Sequence, residues 1–273
     1  MSESTDHFHQ ALNEWLARHT RVSNDVFIED LGGRLCAIKV RRLSALGLLS
    51  YCIRYLRASL ISVFCWLGFR EKPSARILLR NGLEAETQRL ILMQARGYRV
   101  PKVLHHAPGV LVLSYEGESL TSKIREADFK EQLVWMDLAA QDLAQFHQAG
   151  FVHGGAQLRN LMVQDGVLTR IDFEENIAEA LSRPLGQAYD VYQMMSSMAG
   201  LRVEQFSELE RRALCARLLD AYLQANPDPA VRMQLTRLGR LFAVVQHYLG
   251  WLLRRLPGRD VRGFLYVTDA LRL

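Results

Sequence analysis

The stretch that decides the fold is Phe151-Val-His153-Gly-Gly155-Ala-Gln157-Leu-Arg159-Asn160-Leu-Met-Val163, with Ile171-Asp172-Phe173-Glu174-Glu175 following it. It begins where a long amphipathic run, predicted helical over 129–149, is stopped by Gly150. Asp165-Gly166 then marks a tight turn between two short apolar strands, 161–164 and 167–172. The pattern is a polar loop leaving a helix, a hairpin, and an acid at the hairpin's far end.

Towards the N-terminus, residues 6–18 read as a helix with Phe8, Leu12 and Trp15 on one face. Two strands, 26–31 and 35–40, flank Gly32-Gly33, a two-residue hairpin turn. The second strand holds Lys39 in Cys36-Ala-Ile-Lys-Val40. A lysine in an apolar strand is costly unless it is paired or binds an anion; the plain alternative is an edge lysine reaching water. A helix predicted over 75–96 carries Glu86 beside the apolar face of Leu83, Leu90 and Met93, with Glu84 as the rival acid. An apolar strand, 110–115, precedes Glu116-Gly117-Glu118. Beyond the hairpin the chain reads as helices over 189–199, 207–225 and 230–256, broken at Pro227, Pro229 and Pro257-Gly258.

Phosphoryl transfer asks little covalent chemistry of a protein. It needs a lysine on the phosphates, a carboxylate to orient it, and oxygen ligands for metal. Lys39, Glu86, Asn160 and Asp172 occur in the order that this chemistry requires. The loop and the acid after it resemble the His-Gly-Asp-xxxx-Asn loop and Asp-Phe-Glu motif of atypical bacterial kinases, and the Lys39 strand resembles the Val-Ala-Ile-Lys strand of protein kinases. Within that group the chain is similar to the lipopolysaccharide core kinases, which act on Kdo and heptose. The shared features are a basic, apolar linker (40–80) and a helix ending in Gly97-Tyr-Arg-Val-Pro101.

The resemblance implies an α+β, two-lobed protein-kinase-like fold, with a small β-rich N-lobe (1–116) and a larger helical C-lobe (117–273). It implies ATP on Lys39 and Glu86, adenine against the backbone of Ser114, Tyr115 and Glu116, and Mg²⁺ on Asn160 and Asp172. It also implies that Asp190 braces the loop, the competing reading being a helix N-cap. His153, Gln157, Arg159 and Glu174 are supporting residues, and His153 is expected to pack rather than react. The implied acceptor is a sugar of a membrane-linked glycolipid at the cytoplasmic face of the inner membrane.

Composition is compatible with this. The 273 residues are 49% hydrophobic and carry a formal charge of +5, enough chain for one large domain or two lobes. The four cysteines lack metal-ligand spacing, which argues against a zinc site or a disulfide framework. No secretory signal or membrane-spanning segment is expected, because the most apolar stretch, 59–69, is too short. Residues 34–80 contain ten Lys/Arg against one acid, Glu71, interleaved with large apolar side chains. That composition suits a surface for anionic lipid or a lipopolysaccharide precursor, or equally a packed helix with snorkelling arginines. No nucleic-acid motif accompanies the charge.

Two positions depart from the kinase pattern. Gly155 stands where the loop keeps its proton-accepting aspartate, and Gln157 replaces a basic side chain. A glycine-rich nucleotide loop is also missing around residues 22–25. Because general-base help is typically about 10²–10⁴-fold of a much larger total, a slow enzyme and a nucleotide-binding pseudokinase both remain open. Glu174, Glu175 and an acid from the acceptor are the available substitutes, and the sequence does not rank them.

Overall fold

The computed structural model describes residues 2–19, 25–41, 47–74, 77, 82–201, 206–253, 255 and 259–272. Helix α1 (Ser2–Arg18) leads to strands β1 (Asp25–Asp30) and β2 (Leu35–Val40). Gly32 and Gly33 both take positive φ, 65° and 81°, and the Leu31 amide donates to the Arg34 carbonyl at 2.9 Å. This is the two-residue hairpin expected, with left-handed backbone that only glycine adopts freely.

Helices α2 (Gly47–Phe69) and α3 (Leu83–Ala95) follow. Then come β3 (Val103–Ala107), β4 (Val110–Ser114) and the short β5 (Glu118–Ser119). An antiparallel sheet runs β1-β2-β4-β3. Period-two alternation gives it two different faces. Cys36, Ile38, Val40, Val110 and Val112 point at Phe8, Leu12 and Trp15 of α1. Leu111 and Leu113 point the other way, against Leu83, Leu90 and Met93 of α3. Lys39 alternates with Ile38 and Val40, so its side chain is sent to the α3 face.

Between β4 and β5 the chain passes from the first sheet to the second, whose order is β5, β6 (Leu161–Gln164), β7 (Val167–Arg170). Gly117 sits in this crossing with φ 93°, and a Cβ on it would lie 2.2 Å from the Val163 carbonyl oxygen, so no side chain fits. The rest is helical: α4 (Leu120–Glu126), α5 (Phe129–Gln148), a 3-10 turn at Leu158–Asn160, α6 (Ile177–Ala180), α7 (Arg183–Ala199), α8 (Glu208–Ala225), α9 (Pro229–Leu253) and α10 (Arg259–Ala270). Its core is built from fully buried residues such as Met136, Leu143, Val191, Met194, Leu218 and Leu235. A small sheet lobe and a larger helical one make a two-lobed α+β protein-kinase-like fold.

Several boundaries need correction. Of the helix expected over 75–96, Leu83–Ala95 forms α3 after Gly82, which takes φ 149°, and residue 77 is also helical; residues 75–76 and 78–81 lie outside those described. Strand β7 ends at Arg170, not Asp172, since Asp172 adopts a left-handed φ of 67° and leaves the ladder. Helix α7 begins six residues earlier than position 189, at Arg183, with Pro184 in its first turn. That places Asp190 well inside the helix and excludes the N-cap reading. Strand β3 and helix α10 were not anticipated; residues 254 and 256 of the helix expected to reach 256, and the break expected at 257–258, lie outside those described.

Candidate active site

Lys39 lies on the sheet face that looks at α3, and α3 presents Glu86 from the same face as Leu83, Leu90 and Met93. The ammonium donates to both Glu86 oxygens, at 2.7 and 2.9 Å. It also donates to Asp172 Oδ1 at 3.0 Å and lies 3.6 Å from Glu174. Arg41, two residues on along the same edge, bonds Glu174 at 3.0 Å. Glu84, the rival acid, is exposed and faces His106 at 3.3 Å. Packing therefore separates the two glutamates cleanly.

Three carboxylates share one lysine and a neighbouring arginine, so the cluster has a surplus of negative charge. Burial alone would lower the Lys39 pKa, but Glu86, Asp172 and Glu174 outweigh it and hold the ammonium above its ordinary value. Burial pushes the Glu86 carboxyl up, and Lys39 offsets only part of that. Burial acts upward on Asp172 too, yet there Lys39 wins and keeps the carboxyl below the usual range. The Asp172 side chain is 41% exposed, so it stays ionised and open to a ligand.

Asn160 closes the other side. Its Nδ2 donates to the Gly155 carbonyl at 2.9 Å, and its own carbonyl accepts from the Ile171 amide at 2.9 Å. With Nδ2 committed, Oδ1 is the atom left for a ligand. Among the described residues, Glu86, Asp172 and Glu174 also bring carboxylate oxygens within 4.8 Å of one another. Hard oxygen donors beside surplus negative charge fit Mg²⁺ rather than a soft metal.

The loop itself is held from below. Asp190 accepts from the His153 amide at 2.6 Å and the Gly154 amide at 2.8 Å. It also accepts from His147 Nε2 at 3.2 Å. A relay of donors, Asn226 to Tyr222 hydroxyl at 2.8 Å and Tyr222 to His147 Nδ1 at 2.7 Å, fixes that imidazole as neutral with Nε2 protonated. His153 is fully buried, stacks on Phe173 with ring centroids 4.4 Å apart, and donates from Nε2 to the Ile171 carbonyl at 3.1 Å. Its Nδ1 accepts from the Gly155 amide at 3.2 Å.

Burial drives the His153 pKa down to about 4. The unfolded chain binds a proton there near pH 6.5 and the folded one does not, so stability is complete above that and falls as pH drops towards 4. We expect about 2 kcal/mol to be lost between pH 7 and pH 5 from this group. Urea denaturation at both pH values checks it: His153→Gln should show a visibly smaller loss than the wild type, and an equal loss would refute the assignment.

Sequence reading missed Arg89. Its guanidinium reaches from α3 to the Phe173 carbonyl at 3.0 Å, and also binds the Glu175 carbonyl and Asn176 Oδ1. Glu86 accepts from the Phe173 amide at 3.3 Å. The helix that positions Lys39 thus also clamps the segment after Asp172. An Arg in mid-helix gave no local signal for this.

The expected adenine edge is only partly free to serve. The Ser114 amide donates to the Lys102 carbonyl at 2.9 Å and the Tyr115 amide to the Leu35 carbonyl at 3.4 Å. Both are spent on the sheet, so of these three amides Glu116's is the one that no bond among the described residues engages. The Ser114 hydroxyl bonds the Glu116 carboxylate at 2.5 Å and accepts from the Lys102 amide at 2.7 Å. Of residues 22–25, where a glycine-rich loop was sought, 22–24 lie outside those described and Asp25 opens β1.

Beside the loop, Gln157 and Arg159 line a cavity of about 370 Å³, shared with Thr121, Arg125, Gln193 and Ser197. Gln157 is fixed there by a 3.1 Å bond to Gln193.

The family model of the RIO domain matches residues 33–183, more than half of the chain. The chain belongs to the RIO domain family. That span begins at the β1–β2 turn and runs past Asp172 to the first residue of α7. RIO domains are atypical protein-kinase-like domains, of an ATP-binding phosphotransferase type, and Lys39, Glu86, Asn160 and Asp172 all lie within the matched span. A comparison with curated proteins finds no match.

Proposed function

We propose that this RIO domain is an ATP- and Mg²⁺-dependent phosphotransferase whose acceptor is a hydroxyl on an anionic sugar of a membrane-linked glycolipid, as the similarity to lipopolysaccharide core kinases implies. The observation that carries the phosphotransferase reading is the contact of one buried lysine with both Glu86 and Asp172. In this reading Lys39 holds the nucleotide phosphates and Glu86 orients Lys39. Asn160 and Asp172 would hold Mg²⁺, which supplies electrostatic stabilisation of charge on the transferred phosphoryl group. The Glu116 backbone would meet the adenine, and 116/117 is the boundary between lobes.

Two features support the acceptor class. The cavity beside the loop carries Arg125 and Arg159 among neutral hydrogen-bonding groups, a lining suited to a carboxylated or phosphorylated sugar. Helix α2 is built inside out. Ala58, Cys65 and Phe69 are buried, while Ile53, Leu56, Leu60, Val63, Phe64 and Leu67 form an exposed stripe at three- and four-residue spacing. The exposed Tyr248, Trp251 and Leu252 stand on α9, which packs against α2. Among the described residues no helix is long and apolar enough to cross a membrane. A stripe of this kind, with the exposed Arg70 and Lys72 at its end, favours seating at an anionic bilayer surface.

Gly155 favours the other reading, a pseudokinase that binds nucleotide without transfer. Labelled ATP with a cell-envelope glycolipid extract separates the two. The proposal expects label in the lipid fraction, reduced at least about tenfold in Arg125→Ala/Arg159→Ala by loss of charge-assisted bonds and abolished in Asp172→Ala. Mg-ATP binding without transfer to any lipid would favour the pseudokinase.

A further inference from the structure

Glycine at 155 is not forced by crowding. A Cβ built there would meet nothing nearer than 3.9 Å, and its φ is ordinary. The loop could therefore hold an aspartate, and what surrounds the empty position is informative. At 3.9 Å from that Cβ point lie Asn160 Nδ2, His153 Nδ1 and the carboxyl carbon of Glu175. A carboxylate already occupies the neighbourhood that an aspartate at 155 would fill, but it comes from the segment after Asp172.

The backbone is arranged to bring it there. Gly154, at φ 88°, lets the two segments meet: a Cβ on it would be 3.0 Å from the Glu175 carbonyl oxygen. Arg89 holds that carbonyl and Phe173's from the other side. Glu174 is directed away from the loop, to Lys39 and Arg41. The structure therefore ranks two acids that the sequence left equal.

We propose that Glu175 replaces the missing loop aspartate as the catalytic carboxylate that orients and deprotonates the acceptor hydroxyl. This rests on the phosphotransferase reading above. As the acceptor oxygen forms its bond to the γ-phosphorus, the bond from that phosphorus to the β,γ-bridging oxygen breaks. ADP leaves with that electron pair, the hydroxyl proton passes to a Glu175 oxygen, and solvent later removes it. The longer glutamate arm, hung from a neighbouring segment, makes up for the side chain that the loop lacks. Arg89 acts as a positioning residue, through the Glu175 backbone.

The test is Mg-ATP turnover, read as ADP release with water as acceptor from pH 5 to 9, beside the Mg-ATP-induced rise in melting temperature. Glu175→Gln should lower turnover about 10²-fold or more, flatten the acidic limb of the pH profile, and leave the melting rise intact. Glu175→Asp should retain part of the rate. Gly155→Asp/Glu175→Gln should recover at least about tenfold over Glu175→Gln, since it returns a carboxylate to the same place. Turnover in Glu175→Gln within about threefold of wild type, or no recovery in the double variant, would overturn the proposal. Wild type that binds Mg-ATP but releases no ADP would also overturn it while sparing the nucleotide reading; wild type with no melting rise would remove that reading itself. Should Glu175→Gln not fold, Glu175→Asp against Gly155→Asp/Glu175→Asp decides by the same recovery.

Discussion

Asp190→Ala is expected to cost about 3–5 kcal/mol of folding stability, among the largest effects of any single substitution here. Its carboxylate is fully buried and accepts from two loop amides and from His147. Truncation leaves three donors without an acceptor in a place water does not reach, and each such orphan costs about 1–3 kcal/mol. Asp190→Asn keeps one acceptor oxygen and should fall between the wild type and alanine. Equilibrium urea denaturation measures this. A loss below about 1 kcal/mol in Asp190→Ala would mean that the loop is braced by something else.

The second large effect is at Lys39. Removing the ammonium leaves Glu86, Asp172 and Glu174 facing one another without the cation they share, and Glu86 has no exposure at all. Lys39→Ala should lose about 3–5 kcal/mol at pH 7, the cost of an uncompensated buried charge. The sign of its pH dependence follows. Glu86, already raised in the wild type, rises further without its partner. The folded state then binds a proton that the unfolded state releases, so the variant's deficit shrinks as pH falls from 7 towards 5. A deficit that grows on acidification would contradict this account. In the proposed reading Lys39 holds the nucleotide phosphates, so the variant should also fail to gain stability from Mg-ATP.

What was legible in the sequence was local. The alternation in 36–40 sends Lys39 to one face of β2, and the helical spacing of Leu83, Glu86, Leu90 and Met93 sets Glu86 on the face that meets it. The hairpin between Asn160 and Asp172 is short enough to read from Asp165-Gly166 alone. Less legible was anything fixed by distant partners. Arg89 and His147 are ordinary helix residues until their targets, more than forty residues away, are in place. Strand β3 carries His105-His106 and has half-buried positions throughout, so it shows neither alternation nor an apolar run. The starting point of α3 and the stopping point of β7 depend on backbone conformation at Gly82 and Asp172, and a left-handed aspartate cannot be anticipated from composition. Gly155 read as a loss, and only the approach of Glu175 gives the absence a chemical sense.

That nucleotide binds at Lys39, Asn160 and Asp172 is the claim everything else needs. Isothermal titration of the wild type with ATP, in Mg²⁺ and in EDTA, tests it most directly. Saturable one-to-one binding that depends on Mg²⁺ and disappears in Asp172→Ala is expected. Binding of equal strength in EDTA, or undiminished in Asp172→Ala, would contradict it, as would no heat and no melting shift in the wild type.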